Sequence, residues 1–509
     1  MTDHTTEQQD ASSAQPNGSF RLLGFNGTYW MCNVIEFWER LAYNLLRPVA
    51  AIYVMQADDP GGLHLTGEDK GWIFLWWFIF QSLFPMVTGG IADRYGYRKT
   101  ILFSVAVNMT GYVMMAMSHS YWGFFGGVLV LAFGTAFFKP GLQGTLAHQL
   151  TKANSSLGWG TFYWVVNVGS FIGPVAATLI LAKHSAADWR YLFLACAAFT
   201  SLNLFMLIGL PHVESGAPKH ENPFQVFLRA IENLANLRLI AWLLIMSGFW
   251  AMMYQLWDLQ PNFITDWVDS SMIAAHMPFD FLKEIGPDGR LRVPQQMLLA
   301  VNALLIVFLI IPVSWAVRKM RTLEAMLFGM LGATAGVLIA GLTGNGWILL
   351  LGIFFFSLGE MLTGPKKNEY LGLIAPPGKK GLYLGYVNIP IGIGGGLGNY
   401  IAGKLYPRVG EKANLSLKYL LEHTPFGDGK VWDGKIASLE ELTGITRTEA
   451  FAKLQEVVGQ DGPACTRLLW ETYNPQYYTW LPFAAIGVLA TIALAIYGRM
   501  AKRWSDMNA

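Results

Sequence analysis

Two carboxylates and two guanidiniums stand close together in an otherwise apolar stretch near the start of the chain. Glu36, Glu39, Arg40 and Arg47 lie in a segment from about 27 to 54, which is long enough to cross a bilayer. Charges in such a segment are costly to bury and mark a functional site by default. Because arginine keeps its proton, any titration belongs to the two glutamates. The pattern predicts a carboxylate that gains and loses a proton beside a guanidinium; a static buried ion-pair network is the alternative.

The helical spacing of these residues places them on one face. At about 100° per residue, one arc about 100° wide holds the polar side chains. Its members are Glu36, Glu39, Arg40, Tyr43 and Arg47. The opposite arc is apolar and holds Val34, Ile35, Trp38, Leu41, Leu45 and Val49. One face can therefore meet lipid or packed helices while the other borders a polar interior.

The rest of the chain has the composition of a helical membrane protein, with 53% hydrophobic and 14% charged residues among 509. Twelve apolar spans are predicted, at roughly 28–54, 71–91, 99–119, 122–147, 158–182, 188–210, 238–262, 295–317, 323–343, 346–370, 381–404 and 477–498. Six precede and six follow a polar stretch at 211–237. This favours an all-α membrane protein with twelve transmembrane helices in two six-helix halves and a site between the halves.

The predicted domain boundaries follow from these spans. Residues 1–24 read as a disordered cytoplasmic tail and not as a signal peptide. Two six-helix bundles follow at 25–210 and 238–498, joined by a cytoplasmic linker, 211–237, with one short amphipathic helix; 499–509 form a second tail. Basic residues predict that both termini are cytoplasmic in an integral protein of the cytoplasmic membrane. An extracytoplasmic insert at 405–476, with one or two short helices, is expected to cap the outer mouth, with partner binding as the alternative.

The loop after the second span carries a recognisable motif. Its residues are Gly89, Asp93, Arg94, Gly96, Arg98 and Lys99. In this arrangement the chain resembles the major facilitator superfamily. The glycines allow a tight turn, and Asp93 can accept hydrogen bonds from a helix N-terminus or pair with an arginine. We expect such contacts to hold the cytoplasmic side closed while the outer side is open; a plain basic turn is the alternative.

Further motifs narrow the resemblance. They are Glu36-x-x-Glu39-Arg40 with Arg47, Phe138-Lys139-Pro140, Phe162 to Phe171 with Asn167, Phe249-Trp250 with Gln255, Asn302, and Gly359-Glu360 with Pro365. Together they are similar to those of the proton-dependent oligopeptide transporter family. The resemblance implies proton-driven import of di- and tripeptides, with protons as the coupling ion and no cofactor or metal.

The resemblance also implies roles for individual residues. Glu36, Glu39, Arg40 and Asp258 would carry proton coupling. The substrate would contact Arg40, Tyr43, Arg47, Lys139, Asn167, Gln255, Asn302 and Glu360, with the cations taking its carboxylate and Glu360 its amine. Each has a structural alternative: Lys139 could extend to the membrane interface, Glu360 could pair with a lysine, and the asparagines could join helices.

Several positions depart from the family pattern. Asn44 replaces a tyrosine, and Tyr254 stands where an acidic residue is common. Asp258, one turn further on, could supply the missing proton acceptor or lie near the outer interface. Lys366 and Lys367 stand where apolar residues are usual; they could be ordinary cytoplasmic-end lysines or add positive charge to the pocket. These changes put a peptide substrate in doubt.

Two transport functions follow. The first is a proton-coupled symporter for di-/tripeptides or peptide-like solutes working by alternating access. The second is a carrier, with export as one direction, for a non-peptide amphoteric or anionic metabolite. A receptor acting through the insert is a third hypothesis. We expect a monomer in a lipid bilayer with a small-molecule or short-peptide substrate, no nucleic-acid partner and no enzymatic activity, because no catalytic or phosphate-binding motif is present.

Overall fold

The structure is a computed structural model that describes residues 21–151, 154–182, 188–213, 236–286, 288–375, 380–427 and 429–503. Most of the predicted N-terminal tail and most of the 211–237 linker, including its predicted amphipathic helix, lie outside the described residues. The end of the predicted C-terminal tail does too.

The first half consists of a short hairpin followed by eight helices. The hairpin pairs β1 (Arg21–Leu22) with β2 (Phe25–Asn26). The helices are α1 (Gly27–Leu46), α2 (Ala50–Met55), α3 (Gly67–Leu83), α4 (Pro85–Tyr95), α5 (Tyr97–Met117), α6 (Tyr121–Ala147), α7 (Ser155–Leu181) and α8 (Asp188–Gly209).

The second half begins with a broken helix and contains a second hairpin and the insert. Its helices up to the insert are α9 (Leu237–Met253), α10 (Gln255–Asp258), α11 (Gln260–Trp267), α12 (Ser271–His276), α13 (Gln295–Ala316), α14 (Thr322–Gly341), α15 (Gly346–Leu373), α16 (Lys380–Gly385) and α17 (Asn388–Val409). The hairpin pairs β3 (Glu284–Ile285) with β4 (Leu291–Arg292). The insert helices and the last helix are α18 (Lys412–His423), α19 (Ala437–Thr443), α20 (Ala450–Val458), α21 (Gly462–Tyr473) and α22 (Pro475–Ala501).

Local sequence explains several helix ends. The side chain of Asn26 accepts a hydrogen bond from the backbone of Tyr29 and starts α1. Thr66 and Asp69 form a reciprocal capping box at the start of α3. Gly96, with φ 94° and ψ 139°, has a positive-φ backbone that glycine adopts readily, and it separates α4 from α5. These side chains fix where the first helices begin.

The helices agree with a membrane protein, and the count of twelve stays a prediction. Nine helices among the described residues are long and apolar enough to span a membrane, or ten if α3 and α4, bent by 41°, are one span. The helices α1 and α17 have 20 and 22 residues but fall outside that set. The first is rich in charge and the second in glycine, which explains their lower hydropathy.

The two halves form separate bundles that are joined by an extensive contact between α3 and α17. In the first half α1 packs against α7 and α8, and α5 against α6; in the second half α14 packs against α15, and α9 against α17 and α22. The halves meet where α3 crosses α17 and where α7 crosses α13. At the first crossing the backbones touch, because a Cβ on Gly403 would lie 2.4 Å from the backbone oxygen of Gly67.

The insert differs from its prediction. It forms four helices, α18 to α21, that pack on one another, where one or two were expected. It lies at the end of the molecule that also holds α2, which we call the insert side; the opposite end, which holds the turn between α4 and α5, is the linker side. Helices α18 and α21 were missed because a helix of 12 residues offers only about three turns over which apolar spacing can be recognised.

Candidate functional site

The predicted charged face of α1 is present and faces α6. Arg40 and Glu36 form an ion pair with 3.0 Å between Nε and Oε1, and both side chains are at least nine-tenths buried. Lys139 of α6 interacts electrostatically with both groups. The guanidinium of Arg40 also lies 5.3 Å from the ring centroid of Tyr43. The predicted stripe is therefore a network that includes the lysine of the next motif.

Glu39 is positioned differently from Glu36. It is fully buried and accepts a hydrogen bond of 2.9 Å from the side-chain amide of Asn108 on α5. Its helical position, about 60° from Glu36, turns it toward this neighbouring helix. The two predicted proton acceptors thus occupy two environments, one beside a lysine and one in the packing between α1 and α5.

The second half contributes Glu360 and Lys367 from α15. Glu360 accepts a 3.0 Å hydrogen bond from Asn302, whose amide also contacts Ser357. Lys367 interacts electrostatically with Glu360 and, across the two halves, with Lys139. We call these groups the central cluster: Glu36, Arg40, Lys139, Glu360 and Lys367. The cluster contains charges of both signs from both halves.

Three other predicted substrate residues have identifiable hydrogen-bond partners. Asn167 donates to the backbone oxygen of Tyr163 one turn earlier in α7. Tyr43 donates to the side chain of Gln81 at 3.0 Å. Gln255, at the start of α10, is fully buried and donates to the backbone oxygen of Ala251 in α9. Its side chain therefore lies in the packing against α17, where a Cβ on Gly398 would come within 2.7 Å of the amide nitrogen.

Arg47 and Asp258 form a buried ion pair between the two halves. Asp258 also accepts a 2.6 Å hydrogen bond from Asn399 of α17. The guanidinium of Arg47 lies 5.1 Å from the ring centroid of Trp77. Arg47 follows the last residue of α1 and is directed to Asp258, away from Arg40. Asp258, which could have lain at the outer interface, is fully buried.

Lys70 extends this contact; it stands just before the predicted span 71–91 and was not among the predicted site residues. It is 1% exposed and donates to the Asp258 backbone oxygen at 2.6 Å and to Asn262 at 2.8 Å. Asn262 in turn donates to Gln56, which donates to Asp266. We call this set the insert-side interface. The sequence feature that could have identified Lys70 is an ionisable residue one turn inside an apolar helix.

The insert itself contacts the first half through Arg447. One of its guanidinium nitrogens donates to the backbone oxygens of Met55, His64 and Leu65 at 2.8–3.2 Å. A second guanidinium nitrogen, Nη1, lies 3.3 Å from a carboxylate oxygen of Glu411. Burial raises the pKa of Glu411 to about 7, and the Arg447 charge partly opposes that rise. Arg447 therefore joins the two halves on the insert side.

The turn between α4 and α5 carries the superfamily motif. Asp93 accepts a 2.8 Å hydrogen bond from the Tyr97 hydroxyl, and Arg98 donates to the backbone of Ile208 at 3.4 Å. A Cβ on Gly96 would also lie 3.1 Å from the His212 ring. The other three residues of the motif are partly or fully exposed: Gly89, Arg94 and Lys99. Among the described residues, the hydrogen bonds and ion pairs between the halves lie on the insert side, away from this turn.

Comparison with known proteins assigns this architecture to a family. The family model of the Major Facilitator Superfamily matches residues 34–398. The chain belongs to the major facilitator superfamily. This facilitator is 24% identical over 342 residues to Multidrug resistance protein MdtH of Edwardsiella ictaluri, covering 66% of the chain and 77% of the relative. It is 23% identical over 334 residues to the protein of that name from Citrobacter koseri, covering 64% and 74%.

Solved structures confirm the fold of this facilitator. A POT family transporter in complex with a thioalcohol conjugated peptide aligns with a TM-score of 0.67 and 14% identity, over 94% of this chain and 97% of that one. The nucleoside transporter NupG aligns with a TM-score of 0.65 and 11% identity, over 92% and 99%. The protein is therefore an integral membrane transporter of this superfamily.

Proposed function

We propose that this facilitator is a proton-coupled symporter for short peptides or peptide-like solutes, similar to the proton-dependent oligopeptide transporters. The observation that carries the proposal is the central cluster, in which Arg40 and Lys139 of one half interact with Glu36 while Glu360 comes from the other half. A solute with one carboxylate and one amine would bind both halves at once. Binding energy that spans two bodies favours the state in which they are closer.

Proton coupling is assigned to Glu36. While ionised, it forms the ion pair with Arg40. When it takes a proton, Arg40 is released from its counter-charge and can bind the carboxylate of a substrate. Proton binding at Glu36 and anion binding at Arg40 then reinforce each other, which is the condition for symport.

A second protonation site would control the insert-side interface. Asp258 is the counter-charge of Arg47 across the two halves. Protonation of Asp258 weakens this pair and favours separation of the halves on that side. The positive-inside rule predicts that the insert side is extracytoplasmic. With that orientation, protonation of Asp258 from outside would open the outer face, and protonation of Glu36 would favour substrate binding.

The test is uptake of a labelled dipeptide into proteoliposomes with an inward proton gradient. We expect accumulation by the unmodified protein, and loss of gradient-driven accumulation in Glu36→Gln with exchange of internal for external peptide retained. Glu324→Gln is the matched control, because Glu324 is 46% exposed and lies 3.8 Å from Lys502. If the unmodified protein takes up the dipeptide equally well with and without the proton gradient, proton coupling is rejected.

A carrier for a non-peptide amphoteric or anionic metabolite is the second candidate, with export as one possible direction. It is favoured by the sequence relatives, which are named multidrug resistance proteins. A thermal-stability screen of the purified protein against peptides and non-peptide metabolites separates the two. Stabilisation by non-peptides alone would favour this candidate over the first.

A further inference from the structure

Two lysines of the central cluster lie near carboxylates but make no direct ion pair among the described residues. Within the residues that the structure describes, no carboxylate oxygen lies within 4.0 Å of the ammonium of Lys139 or Lys367. Neighbouring cations differ in this respect, because Arg40 is paired with Glu36, and Lys366 with Glu369 at 2.8 Å. Lys139 and Lys367 are partly buried and interact with each other across the two halves.

Such an arrangement is unfavourable until an anion enters it. Two like charges in partly desolvated surroundings repel each other, and the repulsion grows as the effective dielectric constant falls. The Lys367 ammonium lies 4.3 Å from the ring centroid of Trp250, which provides a favourable but neutral contact. An anionic group between the two lysines removes the repulsion and adds two attractions.

We propose that Lys367 is a specificity-determining residue that binds a second anionic group of the solute. The preferred substrate class is then an acidic tripeptide or a peptide-like dianion of similar length. This inference rests on the proposed function for the site and adds the charge class of the substrate. The proton-dependent oligopeptide transporters usually have apolar residues at the position of Lys367. The proposed anion-binding role therefore does not follow from the pattern of that family.

The spacing along α15 sets the size of the ligand. Glu360 and Lys367 are seven residues apart, which places them on the same face of α15 with a rise of about 10 Å. An extended peptide advances about 3.3–3.6 Å per residue. A solute with its amine at Glu360 therefore reaches Lys367 with an anion about three residues away, while Arg40 and Lys139 remain available for another carboxylate.

The position of Lys367 also connects binding to closure of the linker side. The helix α15 starts at Gly346, next to the insert-side segment that holds Asp269, and runs toward the linker side. Lys367 lies two turns beyond Glu360 in that direction. Neutralising Lys139 and Lys367 with one anion removes a repulsion between the halves there, so an acidic solute favours closure of the linker side more than a neutral one.

The experiment compares two tripeptides that differ by one charge, Ala-Ala-Glu and Ala-Ala-Gln, by calorimetric titration of the purified full-length protein. We expect roughly tenfold tighter binding of the acidic peptide, the size of one charge-assisted hydrogen bond. Lys367→Met should remove this preference by weakening the acidic peptide alone. Lys366→Met, which removes an adjacent charge that Glu369 already neutralises, should retain the preference, and Lys367→Arg should preserve it.

Several results would overturn the inference. Equal affinity for the two peptides in the unmodified protein would do so, as would a preference that survives in Lys367→Met. Equal weakening of both peptides would assign Lys367 to packing against Trp250. If neither peptide binds, the peptide part of the proposed function fails, and glutarate becomes the probe. Weaker glutarate binding in Lys367→Met but not in Lys366→Met would then support the anion site, and equal binding in both variants would reject it.

Discussion

Replacing Arg447 by methionine should favour the state in which the insert side is open. Arg447 belongs to the insert, and its hydrogen-bond acceptors are backbone oxygens of Met55, His64 and Leu65 in the first half. The substitution keeps a long apolar side chain but removes every one of these bonds. It also leaves Glu411 without its nearby cation.

The size of the effect can be worked from these contacts. Three acceptors share one guanidinium nitrogen with two hydrogens, so the bonds together count as about 1.5–3 kcal/mol, the range for hydrogen bonds to a charged group. Glu411 belongs to the insert, as Arg447 does, so their ion pair at 3.3 Å does not cross between the halves and adds nothing to this sum. A loss of about 1.5–3 kcal/mol changes the open-to-closed ratio by roughly 10- to 150-fold.

The assay is a distance measurement by pulsed electron paramagnetic resonance on the protein in lipid nanodiscs. Spin labels at Met117→Cys and Met272→Cys report on the insert side of the two halves, since these side chains are 70% and 63% exposed. The three native cysteines are buried. We expect Arg447→Met to shift the distribution to longer distances.

The control and the pH dependence sharpen this prediction. Arg467→Met removes an exposed arginine from α21 and should leave the distances unchanged. Because the pKa of Glu411 is raised from 4.5 to about 7, the folded protein holds this proton more tightly than the unfolded chain. Stability therefore falls as pH rises from about 4.5 to about 7, and without Arg447 the decline should continue to higher pH. Unchanged distances together with an unchanged melting profile would refute the role of Arg447.

The insert-side interface and the helix caps give three more expectations. Asp258→Asn should destabilise the closed insert side by about 3–5 kcal/mol, because Arg47 loses a buried counter-charge; unchanged spin-label distances would count against it. Gly403→Ala should lower the melting temperature, since its Cβ would lie 2.4 Å from a backbone oxygen of α3. A Cβ at position 160 would meet no atom within 4 Å, so the control Gly160→Ala should not lower the melting temperature. Thr66→Ala should cost about 1 kcal/mol by removing the cap of α3, measured as a lower midpoint of thermal unfolding.

What could be predicted from sequence was local. The Glu36–Arg40 pair followed from a spacing of four residues on one helix, and the tight turn between α4 and α5 followed from the glycines of its motif. The partner of Arg47 could not be predicted in the same way. The helix ends at Leu46, and Asp258 lies on a helix from the other half, so only the packing of the halves brings them together.

The burial of Lys70 could not be predicted from the sequence for a related reason. Near the end of an apolar span a lysine usually reaches water, and burial requires acceptors from elsewhere in the chain. Here Asn262 and the backbone of Asp258 supply them. The sequence patterns describe one helix at a time, whereas the groups that neutralise these charges come from helices about 190 residues away in the sequence.

The crossing of α3 and α17 has a consequence for how fast the transporter can turn over. Gly67, Gly71 and Gly403 bring the two backbones into contact at the insert-side end of the crossing, whereas further along α3 the Phe78 ring packs against Gly395. Separating the glycine contacts at the insert-side end requires no rotamer change. The activation barrier for opening that end should then depend mainly on exchanging polar contacts for water, so single polar substitutions could adjust the rate of the conformational cycle without repacking the membrane-spanning core.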